Sequence, residues 1–167
     1  DLGQNIKCGN SLIGPDYFAG QLMPDEDEMR RVNPFDWKAE FPEIMKAGGF
    51  DAVIGNPPYG YMIPKEEQAY YSAHYRYQDY QKDLYLLFLE RYEQFLKMRG
   101  CLGVIVSNTW LQSVKLKSIR TYLRTKYEWL RVMIPLEKVF QATVDTHVLV
   151  FRKQNVSTES RSDVVIE

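Results

Sequence analysis

Apolar positions along the chain fall into short runs separated by helical stripes, and that alternation sets the first reading of the fold. "FDAVIG" (residues 50–55) reads as a short buried strand, and "CLGVIVSNTWL" as a continuous apolar strand covered on both faces of a parallel sheet. Between them, "DLYLLFLERYEQFLKMRG" places Leu84, Leu87, Phe88, Phe95 and Leu96 on one stripe at helical spacing, with Gly100 as its stop. Residues 113–126 repeat the helical pattern through Leu116, Ile119 and Leu123. Two further strands follow, "WLRVMIPL" and "THVLVFRK", separated by "EKVFQATVD". Strand, helix, strand, helix, strand, strand is the order of an α/β domain that ends in an antiparallel excursion.

The flanks are less regular. "QNIKCGNSLIG" predicts a short strand over residues 5–8 and a turn at Gly9, Asn10 and Ser11. "PDEDEMRR" is a charged loop or helix start. In "NPFDWKAEFPEIMKAGG", Pro42 argues against one long helix, and Gly48 and Gly49 break whatever helix forms. Residues 61–82 make an irregular, polar tract rich in tyrosine.

Composition narrows the field only a little. The 167 residues, 45% of them hydrophobic, suffice for one domain with a substantial core. A net charge of −1 neither requires nor excludes nucleic acid, because binding can rest on a local patch. Two cysteines, Cys8 and Cys101, without a CxxC pair, speak against a disulfide scaffold or a zinc site and fit a reducing cytoplasm. No apolar run reaches the roughly 18 residues of a membrane span.

The chemistry gathers at "FDAVIGNPPYG", where a strand ends in an amide, two prolines and a tyrosine. In open α/β sheets ligands sit beyond the carboxyl ends of the strands, which is where residues 56–59 fall. Asn56 offers a donor and an acceptor. Proline has no N–H, so Pro57 and Pro58 leave a carbonyl with a restrained direction and no nearby competing donor. Asn56 Oδ1 and the Pro57 carbonyl can together accept both hydrogens of a planar –NH₂ group, while Tyr59 stacks on the plane that carries it. Holding those hydrogens favours a pyramidal nitrogen with its lone pair freed toward an electrophile, a positioning effect that needs neither charge nor metal. The same four residues also make a rigid turn after a strand, since Asn-Pro commonly starts one.

In this context the chain resembles a family. "NIKCGNSLIG", "FDWKAEFPEI", "GGFDAVIGNPPYG", "DLYLLFLER", "GCLGVIVSNTWL" and "VFQATVDTHVLVFRK" are together similar to the N6-adenine DNA methyltransferases of restriction-modification and phage-defence systems, in the γ arrangement. The resemblance implies S-adenosylmethionine as cofactor and double-stranded DNA with a flipped adenine as substrate. It implies that Asn56, Pro57 and Pro58 hold the amino group, that Tyr59 and Phe140 stack on the two faces of the base, and that Asn10 and Ser11 meet the cofactor's adenine. It implies an α/β, Rossmann-like methyltransferase sheet of spatial order 3-2-1-4-5-7-6, with "NIKC" as strand 3, "FDAVIG" as strand 4, "CLGVIVS" as strand 5 and the final pair as strands 6 and 7, so that strands 3-4-5-6-7 are present and strands 1-2 missing. Residues 1–155 are then the C-terminal part of a catalytic domain and residues 156–167 a linker toward a target-recognition domain. The glycine-rich cofactor motif is expected upstream of Asp1, so the chain is expected to be an inactive excised piece. Glutamine and RNA-base methyltransferases share NPPY alone, and a degenerate nucleic-acid-binding module is the rival from another class. With strands 1 and 2 missing, "FDAVIG" is expected to have an open edge, filled either by "NIKC" or by a second copy joined edge to edge.

The tract from Tyr59 to Tyr80 holds seven of the twelve tyrosines, with Lys65, His74 and Arg76 among them and Lys82 just beyond, which suits contact with nucleic acid or a flap packed on its own domain. Lys115, Lys117, Arg120, Arg124, Lys126 and Arg131, against Glu128 alone, read as a solvated face or a phosphate contact. Asp83 reads as the N-cap of the helix it precedes. His74 and His147 are too isolated for a metal site, His147 being structural, and Cys101 reads as core.

Overall fold

A computed structural model describes residues 2–60, 63–77, 83–135, 145–155 and 165–166. The chain divides into two compact units, Asp1–Ala47 and Gly48–Glu167.

The first unit holds four short helices: α1 (Leu2–Asn5), α2 (Glu26–Val32), α3 (Trp37–Glu40) and α4 (Pro42–Lys46). Asp25 caps α2 by accepting from Glu28 N–H, and Asp36 caps α3 by accepting from Lys38 and Ala39. Phe41 leaves helical geometry at φ −132° and Pro42 begins α4, so the proline splits the segment as expected. The strand expected at "NIKC" does not form. Asn5 closes α1, residues 6–8 are irregular, and Ile6 is 68% exposed. Extended pairing in the first unit is reduced to a single parallel bridge between Asn10 and Pro34. Four residues without a neighbouring strand have no ladder to satisfy their backbone groups.

In the second unit, β1 (Phe50–Gly55) leads through α5 (Lys65–His74) to α6 (Leu84–Phe95), β2 (Leu96–Ser107), α7 (Thr109–Gln112), α8 (Lys117–Lys126), β3 (Tyr127–Met133), β4 (Thr146–Lys153) and β5 (Val165–Ile166). The sheet order is β1-β2-β4-β3-β5. β1 and β2 are parallel, β4 runs antiparallel to both β2 and β3, and β5 adds parallel to β3. The first four strands therefore lie in the order 4-5-7-6 that the resemblance carries.

One face of the sheet is covered. Leu102, Val104 and Val106 of β2 join Leu149 and Phe151 of β4 against Leu86 and Leu89 of α6 and Ile119 and Leu123 of α8. Lys153 holds the far end of α6: its Nζ donates to the carbonyls of Glu93 (2.6 Å) and Leu96 (2.9 Å) and pairs with the Glu93 carboxylate. Helix α6 stops at Phe95, short of Gly100. The chain enters β2 at once, and residues 97–100 bulge from it, with Arg99 at φ 71° and Phe50 opposite Leu96 while Ala52 faces Cys101.

Two expectations are corrected here. β1 is not a buried strand: Ile54 is 90% exposed, because β1 pairs with β2 alone among the described residues and only its Val53 face packs on the core. The tyrosine-rich tract is not irregular throughout. "KEEQAYYSAH" forms α5, in which Tyr71 donates to buried Glu67 one turn earlier (3.1 Å) and Tyr70 stacks on His74 at 3.9 Å. Tyr71 and Tyr75 are 2% and 4% exposed, so they are core, not a nucleic-acid surface.

Candidate active site

Residues 56–59 leave the carboxyl end of β1, as the sequence pattern requires. Gly55, the last residue of the strand, lies directly under the Tyr92 phenol of α6. A Cβ on Gly55 would stand 2.6 Å from Tyr92 Cζ, so a larger residue there requires the Tyr92 ring to move. Burial under this crossing pushes the Tyr92 phenol up to about 12.

Beyond that point the four residues separate. Asn56 is exposed, and neither its side-chain amide nor the Pro57 carbonyl has a hydrogen-bond partner among the described residues. The Pro57 ring is buried and Pro58 exposed. Tyr59 is half-buried and packs against the edge of the apolar core. Gly60 then turns at φ 71°, and its N–H donates to both oxygens of the Asp83 carboxylate at 3.2 Å. The arrangement is a buried proline beside an amide that is exposed to solvent.

Asp83 was not legible as part of this site. It occupies the N-cap position of α6, where its carboxylate faces the Tyr85 N–H of the first turn and also takes the Gly60 N–H. Burial raises its pKa, and the N–H groups of Gly60 and Tyr85 partly offset that. The same helix end reaches the carboxyl end of β2. There the Tyr85 hydroxyl bonds Thr109 Oγ1 (3.1 Å), and Thr109 Oγ1 bonds Ser107 Oγ (3.0 Å). A second carboxylate of α6, Glu90, is 7% exposed and accepts from the backbone N–H of Arg76 at 2.9 Å. Asp83 and Glu90 thus tie the two ends of the connection between β1 and α6 onto one helix. An acid opening an apolar helix looks the same in sequence whether it caps the helix or ties a loop.

Asn10 and Ser11 lie in the first unit. Asn10 Oδ1 accepts from Leu12 N–H (3.1 Å), its backbone N–H donates to Asn33 O (2.6 Å), and the Ser11 carbonyl accepts from Trp37 Nε1 (3.2 Å). Asn10 Nδ2 has no partner among the described residues. Its neighbour Gly9 lies flat on the Phe35 ring, whose carbon a Cβ would meet at 2.5 Å. A half-buried amide donor beside an aromatic ring fits the acceptor edge of a purine. Phe140 lies outside the described residues.

Of the other candidates, Arg120 is taken by the fold: its Nη1 donates to the carbonyls of Trp110 and Ser113, both at 2.7 Å. His147 is 5% exposed, and its Nδ1 accepts from Trp110 Nε1 at 3.2 Å. Burial lowers its pKa, which suits a neutral acceptor, and Asp145 opposes the shift. No three His, Cys, Asp or Glu gather as metal ligands among the described residues, and no described helix is long and apolar enough to cross a membrane.

Fold and site define a class first. The chain superposes on DNA-bound LlaBIII, an ATP-dependent type ISP restriction-modification enzyme, with a TM-score of 0.64 at 13% identity, over 98% of this chain and 12% of that one. It superposes on the M protein of the type I restriction enzyme EcoKI with a TM-score of 0.52 at 21% identity, over 93% of this chain and 26% of that one. These likenesses give the Rossmann-like fold of methyltransferases. The family model of the Eco57I restriction-modification methylase matches residues 2–140, and the chain belongs to that family. The type II restriction enzyme and methyltransferase RM.Eco57I of Escherichia coli is 33% identical over 165 residues, covering 92% of this chain and 15% of that protein. The chain spans between 11% and 18% of the length of the curated relatives it matches.

Proposed function

We propose that this chain is the part of an N6-adenine DNA methyltransferase that receives the target base. Asn56 carries the reading: an exposed amide without a partner among the described residues, next to a carbonyl that two prolines leave unclaimed, at the carboxyl end of a sheet strand. Here Asn56 Oδ1 and the Pro57 carbonyl accept the two hydrogens of the adenine amino group. That turns the nitrogen lone pair out of conjugation and toward the methyl donor. Pro58 keeps the carbonyl direction fixed. An adenine inside a duplex cannot reach these acceptors, so it swings out of the stack and lies between Tyr59 and Phe140. S-adenosylmethionine, when bound, supplies an electrophilic sulfonium methyl group, and Asn10 and Ser11 hold its adenine end. The enzyme acts in the cytoplasm as one part of a restriction-modification system. The open side of β1 is the segment through which two copies of this isolated chain would pair, and light scattering tests that pairing.

The test is the product. The intact protein is incubated with isotopically labelled S-adenosylmethionine and duplex DNA, and the nucleosides are separated by mass spectrometry. Label in N6-methyladenine is expected. Label on a glutamine side chain or on RNA, with none in DNA, would overturn the reading.

A further inference from the structure

Positive charge on this chain is uneven. The net charge is −1, yet residues 115–126 contain five cations and no carboxylate. Arg120 serves the fold through the carbonyls it holds. Lys117 and Arg124 are exposed and Lys126 half-exposed, and none of the three forms an ion pair among the described residues. Several other surface cations do find acids: Lys7 pairs with Glu40, Arg30 with Glu26, Lys97 with Asp51 and Arg152 with Glu128. Like charges at neighbouring positions of one helix repel, so a strip of this kind weakens the helix unless an anion meets it.

An open groove of about 810 Å³ runs beside the strip, and its lining among the described residues includes Arg76, Lys115, Lys117 and Lys126, the hydroxyls of Ser118 and Thr121, and no carboxylate. Two described acids of the adjoining cleft are engaged, Glu90 by the Arg76 N–H and Glu93 by Lys153. Within the groove Tyr77 packs on Tyr122 at 4.9 Å, which fixes the tract bearing Arg76 against α8.

We infer that this face of α8 is a contact surface for the phosphate backbone of nucleic acid. Cations mixed with hydroxyl donors are the side chains that meet phosphate oxygens. At 1.5 Å per residue Lys117 and Lys126 stand about 13.5 Å apart along the helix axis, on the two rims of the groove that both line. The surface reads no sequence; it supplies affinity and register. It goes beyond the reading of Asn56 and does not depend on which group is methylated.

The test measures binding of the intact protein to a mixed-sequence DNA duplex across a salt series, without methyl donor. Lys117→Ala, Arg124→Ala and Lys126→Ala are combined in one variant, whose fold is checked by thermal unfolding. The plot of log affinity against log salt should become shallower by about 0.9 for each phosphate that is no longer neutralised. A second variant, Lys117→Arg with Arg124→Lys, keeps the charge and should keep the slope. An unchanged slope in the triple variant overturns the inference. So does wild-type binding to polyglutamate that the triple variant loses while its duplex binding stays intact, which would mark a site for an acidic protein. A shallower slope in a protein that yields no N6-methyladenine sustains this surface and sinks the adenine reading alone.

Discussion

The Gly60 N–H donates to both oxygens of the Asp83 carboxylate at 3.2 Å, so the loop after the tyrosine of NPPY is tied to the first turn of α6. Burial pushes the Asp83 pKa up more than the two backbone N–H groups bring it down. A folded-state pKa above the unfolded one gives a contribution that is present at low pH and lost as pH rises through the folded value. Near neutrality the charge is therefore a cost that the hydrogen bonds to the loop offset.

Asp83→Asn keeps an acceptor and removes that charge, whereas Asp83→Ala removes both. At neutral pH the Asn variant should be at least as stable as the wild type, and the Ala variant less stable by about 1 kcal/mol. Thermal unfolding measures both, and the gap between wild type and Asn variant should shrink as pH falls into the carboxylate range. In the intact protein Asp83→Ala should also slow methyl transfer while leaving DNA affinity unchanged.

Gly55 and Tyr92 make a steric pair. Gly55→Ala should cost about 1–3 kcal/mol through overpacking and displace Asn56, the next residue. Tyr92→Leu in the same chain should relieve part of that cost. A double-mutant cycle by denaturant unfolding should show coupling above about 0.5 kcal/mol. Additive costs would mean that the strand end yields without the ring.

His147 accepts from Trp110 in its neutral form and is shielded from solvent. Its pKa lies below the usual 6.5, so the unfolded chain takes up the proton first as pH falls. The stability that His147 contributes is present above about pH 6.5 and is lost as pH drops toward the folded value. The chain has two histidines, so an NMR titration resolves them directly. His147→Asn, which retains an acceptor, should flatten the pH dependence of unfolding in that window.

The sheet was legible because buried strands are apolar runs of the right length: "CLGVIVS" and "THVLVFRK" carry Leu102, Val104, Val106, Leu149 and Phe151 into the core. The order of the strands came from the resemblance, since periodicity says nothing about neighbours. "NIKC" misled because two apolar residues in four look like a strand whether or not a partner lies beside them. Helix α5 was hidden by its tyrosines, which read as a binding surface although Tyr71 and Tyr75 face the core. What the sequence did place is the strand end before Asn56 and Pro57, where β1 closes at Gly55. Asp83 and Glu90 were not legible, because a carboxylate that accepts a distant N–H leaves no spacing in the sequence.

If Asn56 positions the amino group during transfer, its side chain acts on the reaction and does little for binding. Single-turnover methylation of duplex DNA by the intact protein carrying Asn56→Ala, beside DNA affinity at fixed salt, separates the two. Methyl transfer is expected to fall by at least about a thousandfold, or roughly 4 kcal/mol of transition-state stabilisation, with DNA affinity within about twofold of wild type. Near-normal turnover in a folded variant would show that Asn56 has no part in the transfer.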